Sequence, residues 1–181
     1  MKKIKKLFLL LLAIVILIPA VKTGYYKLLD RFLPLKYEGY IEKYAEEYDL
    51  DKYLVMGVIR AESSFNHEAH SGVARGLMQI TDDTAKWIAK KLKLEYHENM
   101  VEEPETNIKM GCYYLSYLTG RYHNIETALA AYNAGMGNVS SWLSDKRYSG
   151  DGKTLIKIPF GETERYVKRV KILSVFYEKL Y

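Results

Sequence analysis

The chain of 181 residues holds a single cysteine, Cys112, so no disulfide can close within it and a cysteine-built metal site is excluded. The role left to Cys112 is that of a small buried hydrophobe. Histidine is scarce as well: His67, His70, His97 and His123 have neither the spacing nor the carboxylate neighbours of a ligand set. No metal and no cofactor are therefore expected, and the four imidazoles are expected to be mostly exposed. Phenylalanine and tryptophan number only 5 and 2 against 17 tyrosines, so the aromatic surface carries hydroxyls. Such rings pack at core margins and also suit the walls of a wet groove. Net charge is small once located. Of the formal +5, four charges sit on Lys2, Lys3, Lys5 and Lys6, leaving the rest of the chain close to neutral. Without a basic patch on the folded part, a nucleic-acid partner is not expected. Apolar and polar residues nowhere alternate convincingly at period two, and no repeat of solenoid length appears. With 49% apolar side chains, what remains is one mainly helical domain with a sizeable core.

The N-terminus has its own character. The cationic flank Lys2 to Lys6 runs into the apolar stretch Leu7 to Ile18 and closes at Pro19-Ala20-Val21-Lys22. Residues 1–22 read as a signal peptide or signal anchor: the cations stay inside and the apolar core enters the membrane. Ile18 and Ala20 make a poor small-x-small cleavage site, which favours the anchor, whereas the short apolar run favours a cleaved peptide. Either form places the remainder outside the cytoplasm, anchored to the cell membrane or secreted. Residues 23–36, mixed in character and interrupted by Pro34, read as a juxtamembrane linker, and residues 37–181 as the domain.

Within the domain the apolar period is that of helices. The segment 37–48 is the first, and Asp51 then caps a helix running to about Ser64. A polar, glycine-bearing loop covers Asn66 to Arg75, and Thr81 caps the next helix through Leu92. Pro104 opens a longer one that ends between Gly120 and Tyr122. Ile125 to Ala134 follows and stops at Gly135, Val139, Trp142 and Leu143 mark a short helix, and 162–180 form the last.

One residue does not fit its position. Leu54, Val58 and Glu62 are spaced by four with Val55 and Ile59 beside them, so Glu62 continues the stripe that faces the core. Desolvation there disfavours the charged carboxylate and raises its pKa, leaving a proton to donate near neutral pH. That is the profile of a general acid.

Four strings carry a family resemblance: Glu62-Ser63-Ser64-Phe65, Gly76-Leu77-Met78-Gln79-Ile80, Ala131-Tyr132-Asn133-Ala134-Gly135 and Ile158-Pro159-Phe160-Gly161-Glu162-Thr163. In order and spacing they are similar to the bacterial soluble lytic transglycosylase catalytic domain, a relative of goose-type lysozyme, and the resemblance covers residues 37–181. It implies a mainly α, lysozyme-like fold with a groove for peptidoglycan glycan strands. It further implies that Glu62 is a single catalytic acid and base. The reaction would cleave the β-1,4 bond between N-acetylmuramic acid and N-acetylglucosamine and leave 1,6-anhydromuramoyl ends. By the same resemblance Ser71, Met78, Gln79, Tyr132, Asn133 and Glu162 are substrate-binding residues. Where the family often has arginine two residues after the counterpart of Glu162, this chain has Glu164 followed by Arg165. The two competing readings are a hydrolytic muramidase on the same fold and a noncatalytic glycan-binding module of a cell-envelope assembly.

Overall fold

The computed structural model describes residues 2–181, with side chains from residue 15 onward apart from those of 16 and 20. It divides into two compact units, residues 1–36 and residues 37–181. The first is one helix, α1 (Lys2–Phe32). Residues 23–32, expected as linker, therefore continue the helix, and irregular backbone is confined to 33–37. The break comes where it does because Pro34 disfavours a helical conformation at Leu33. The anchor expectation rests on the apolar run, whose side chains lie mostly outside the described residues. Among the described residues no helix is long and apolar enough to cross a membrane.

The second unit is built on a pair of helices distant in sequence. Helix α3 (Lys52–Glu62) starts at Asp51, whose carboxylate accepts from Tyr53 N–H at 2.9 Å. Val55, Met56, Gly57, Val58 and Ile59 are buried in succession, a wider face than one stripe, because α3 is covered by both α2 (Glu38–Glu47) and α8 (Gly161–Leu180). Gly57 sets how near α8 can come: a Cβ there would lie 2.5 Å from Ser174 Oγ and 2.9 Å from the Val170 carbonyl. The helix stops at Glu62 because the chain turns through two left-handed residues, Ser64 at φ 55° and Phe65 at φ 63°. Phe65 then inserts its ring beside Tyr177 of α8, the centroids 6.2 Å apart, and so anchors the turn.

The loop that follows folds into a two-residue hairpin, β1 (Ala74–Arg75) with β2 (Ile80–Thr81), paired Ala74 to Thr81 and Arg75 to Ile80. Helix α4 (Asp82–Leu92) begins at the expected cap, Thr81 accepting from Thr84 N–H. A 3₁₀ turn at Glu98–Glu102 lies in what reads as a plain polar connection; Met100 and Val101, its two buried residues, are too few to show a period. Helix α5 (Pro104–Tyr122) is the central strut, with Ile108, Met110, Cys112, Leu115 and Leu118 fully buried. Each such side chain contributes about 1.5–3 kcal/mol. Helix α6 (Ile125–Ala134) packs on α5 and α8 and passes at Gly135 into α7 (Met136–Leu143). Gly135, at φ 84°, permits that reversal. His70, His97 and His123 are exposed and His67 is half-buried.

Candidate active site

Glu62 is the last residue of α3, half-buried where the helix ends. Burial pushes its carboxyl up to about 7, against the opposing pull of the Tyr166 hydroxyl and of the Arg169 charge. The acid inferred from the helical stripe is thus poised at neutral pH. Tyr166 and Arg169 both come from α8, so the close α3–α8 contact at Gly57 also brings these two groups to Glu62. The Tyr166 hydroxyl is buried and makes no hydrogen bond of ordinary distance and angle. It is a donor poised beside the carboxyl, short of a formed bond. Burial and the Glu62 charge hold the hydroxyl's own pKa well above the usual tyrosine value, so its proton stays on.

Tyr132 reaches the same place from the last turn of α6. Burial first, then the Glu62 charge, keep it protonated too. Its hydroxyl donates to the Met78 carbonyl at 2.8 Å, and its ring packs on Tyr114 with centroids 5.4 Å apart. Met78, expected on the groove wall, is fully buried, with its side chain pressed against Gly111. It meets the site through its backbone. Gln79 is held at φ 48°, its Nε2 donating to the Ala69 and Gly76 carbonyls, both at 2.8 Å. The donating half of this amide is committed inside the protein, so only Oε1 remains for a sugar, in place of the donor and acceptor pair expected.

Asn133 follows Tyr132 and is exposed, but its Oδ1 accepts from the Thr163 hydroxyl at 2.8 Å. That bond turns the Asn133 amide nitrogen outward. Both residues line an open cleft of about 570 Å³ with Ala134, Pro159, Phe160, Gly161 and Glu162. Glu162 stands exposed in the first turn of α8, where a carboxylate is favoured by the helix dipole. Ser71 is exposed on the loop before β1, its N–H donating to the Ala74 carbonyl at 3.0 Å. The structure therefore gathers Tyr132 at Glu62 and joins Asn133 to Glu162 along one cleft. Ser71 sits on the loop leaving α3, Gln79 in the turn between β1 and β2, and Met78 stays inside.

Three participants escape the sequence pattern. Tyr166 reads as one more inner-face aromatic of α8, and nothing in its spacing marks the hydroxyl. Arg169 reads as a solvated charge on the same helix. Asn107 is buried on α5, accepting from Met78 N–H at 2.7 Å and donating to the Val101 carbonyl at 2.6 Å and the Arg75 carbonyl at 3.0 Å. A polar residue among Ile108, Met110 and Leu115 is the signal that could have exposed it. Among the described residues no group of three or more His, Cys, Asp or Glu side chains could hold a metal ion.

Residues 39–155 match the family described as Transglycosylase SLT domain. The soluble lytic murein transglycosylase of Salmonella typhimurium is 36% identical over 154 residues, covering 82% of this chain and 24% of that protein. The membrane-bound lytic murein transglycosylase C of Pectobacterium atrosepticum is 31% identical over 168 residues, covering 80% of this chain and 47% of that one. Among solved structures, an inactive glutamate-to-glutamine mutant of the lytic transglycosylase Slt from Pseudomonas aeruginosa superposes with a TM-score of 0.73 at 33% identity. That superposition covers 83% of this chain and 25% of the Pseudomonas chain. The chain spans about a quarter of the soluble relatives it matches. Fold and sequence agree: the chain belongs to the transglycosylase SLT domain family.

Proposed function

We propose that this domain is a peptidoglycan lytic transglycosylase that cleaves the β-1,4 bond between N-acetylmuramic acid and N-acetylglucosamine. The observation that carries the reading is Glu62, a carboxyl pushed up to about 7 by burial at the open end of a helix. Besides burial, the groups that act on its titration are the Tyr166 hydroxyl and the Arg169 charge, which favour the ionised form. Glycosidases of the usual kind use two carboxylates, one as acid and one as nucleophile or base. Here Glu62 serves in both roles in turn.

The surroundings suit that double use. Neutral Glu62 donates its proton to the glycosidic oxygen as the bond to C1 breaks. The carboxylate so formed is then met by the Tyr166 hydroxyl and the Arg169 charge, the two influences that favour the ionised form. It takes the proton of the muramoyl C6 hydroxyl, whose oxygen closes on C1 to give the 1,6-anhydro end. Water supplies no atom to the product, and Glu62 ends protonated as it began. Asn133, with its nitrogen turned outward by Thr163, and the rim residues Ser71, Gln79 and Glu162 bind the strand on either side; Met78 contributes by holding Tyr132.

The lysine-flanked apolar segment at residues 1–22 carries the domain out of the cytoplasm and remains as its membrane anchor, placing it against the cell wall for remodelling. The presence of a membrane-bound transglycosylase among the relatives supports this arrangement. N-terminal sequencing of the exported protein tests it: a start at Met1 agrees, and a start near Val21 removes the anchor. The catalytic reading is tested by incubating the full chain and its Glu62→Gln variant with purified peptidoglycan. Release of muropeptides by the parent and none by the variant is expected; equal release would take Glu62 out of the reaction, and none by either would favour a binding module.

A further inference from the structure

The hydrogen bonds of Asn107 reach Tyr132, on which the Glu62 charge acts, in two steps. Its side chain, 1% exposed, spends its carbonyl on Met78 N–H and both amide hydrogens on the Arg75 and Val101 carbonyls. One turn along α5 on the same face, Gly111 leaves the space that the Met78 side chain fills. Met78 is therefore gripped at its backbone by Asn107 and at its side chain by Gly111. The residue so fixed is the one whose carbonyl takes the Tyr132 hydroxyl proton at 2.8 Å. A tyrosine hydroxyl has one proton to give. Once it is given to Met78, Tyr132 presents only lone pairs to the acid site.

We infer that Asn107 is a positioning residue for this site: by fixing Met78 it fixes the direction of the Tyr132 hydroxyl, which then meets the Glu62 side of the site as an acceptor. Tyr166, whose hydroxyl makes no such bond, is poised beside the same carboxyl with its proton free to donate. One tyrosine thus suits the protonated acid and the other the carboxylate, which a group used first as acid and then as base requires. The functional part of this inference rests on the proposed glycan cleavage, but the geometry does not.

The test is a carbon-detected NMR titration of the Glu62 carboxyl in the full chain, in Asn107→Ala, in Tyr132→Phe and in the double variant. The charged and titratable groups acting on Glu62 are Tyr166 and Arg169 from α8, and the Glu62 charge in turn acts on Tyr132 from α6. Each single variant is expected to move the midpoint in the same direction, and the double variant no further than Tyr132→Phe alone. Shifts that add, or a folded Asn107→Ala with the parent midpoint, overturn the inference. Should Asn107→Ala fail to fold, Tyr132→Phe still decides, because an unmoved midpoint there removes the link. Turnover is measured alongside. Asn107→Ala is expected to lower kcat about tenfold beside Tyr132 and to add nothing beside Tyr132→Phe. A parent without turnover would refute the proposed activity and leave the midpoint comparison intact.

Discussion

Replacing Tyr166 by phenylalanine isolates one of the two groups that oppose the burial of Glu62. The parent carboxyl sits at about 7, raised from 4.5 by desolvation and held back by Tyr166 and Arg169. A hydrogen bond to a charged group contributes about 1.5–3 kcal/mol, and one pKa unit corresponds to about 1.4 kcal/mol. Because the Tyr166 hydroxyl is poised and not fully bonded, the lower figure applies, and Tyr166→Phe should raise Glu62 by about one unit. At pH 7 the protonated share would then rise from about half to about nine-tenths. An acid is active below its pKa, so the alkaline limb of the rate profile moves upward, from about pH 7 to about pH 8. The assay is peptidoglycan clearing between pH 5 and pH 9, paired with a titration of the Glu62 carboxyl. A midpoint that stays put or falls would refute the role given to Tyr166.

Glu62 should also weaken the fold it serves. Its folded pKa lies above the unfolded one, so its contribution is present below about 4.5 and is lost as pH rises through about 7. Glu62→Gln should therefore stabilise the domain above pH 7 by on the order of 3 kcal/mol, with no gain near pH 4, as urea melts at the two pH values would show. Gly57→Ala places a methyl group against Ser174 and Val170 and should cost about 1–3 kcal/mol by prising α8 from α3, whereas an unchanged melting midpoint would mean that the helices part freely. Thr163→Val removes the hydroxyl that orients Asn133 and should raise KM several-fold with kcat nearly constant; a fall in kcat alone would place Asn133 in the chemistry instead of in binding.

Much of this site is legible in the sequence because its residues violate a pattern. Glu62 stands out since a carboxylate continues an apolar stripe, and Tyr132 since a helix C-terminus beside glycine explains Asn133 and Gly135 but not a tyrosine. Tyr166 and Arg169 violate nothing: an aromatic and a cation at helical spacing on α8 are what any amphipathic helix carries. Their significance comes from the α3–α8 crossing at Gly57, a contact between residues far apart in the chain. Met78 and Gln79 show the opposite limit. The string that holds them is plain in the sequence, yet which atoms face the cleft depends on a left-handed Gln79 and on Asn107 from another helix. The helix boundaries followed local chemistry closely, Asp51, Thr81, Pro104 and Gly135 each acting where their residue type suggests. The exception is the stretch before Pro34, where mixed composition reads as linker, yet the helix runs through Gly24 and stops only ahead of the proline.

The central claim, that Glu62 acts alone as acid and then as base, is tested most directly by the products. Peptidoglycan digested by the full chain in ¹⁸O-labelled water should yield muropeptides with 1,6-anhydromuramoyl ends, lighter by one water than reducing-end products and free of the label. Reducing ends carrying ¹⁸O would contradict it, because water would then have taken the place assigned to the C6 hydroxyl.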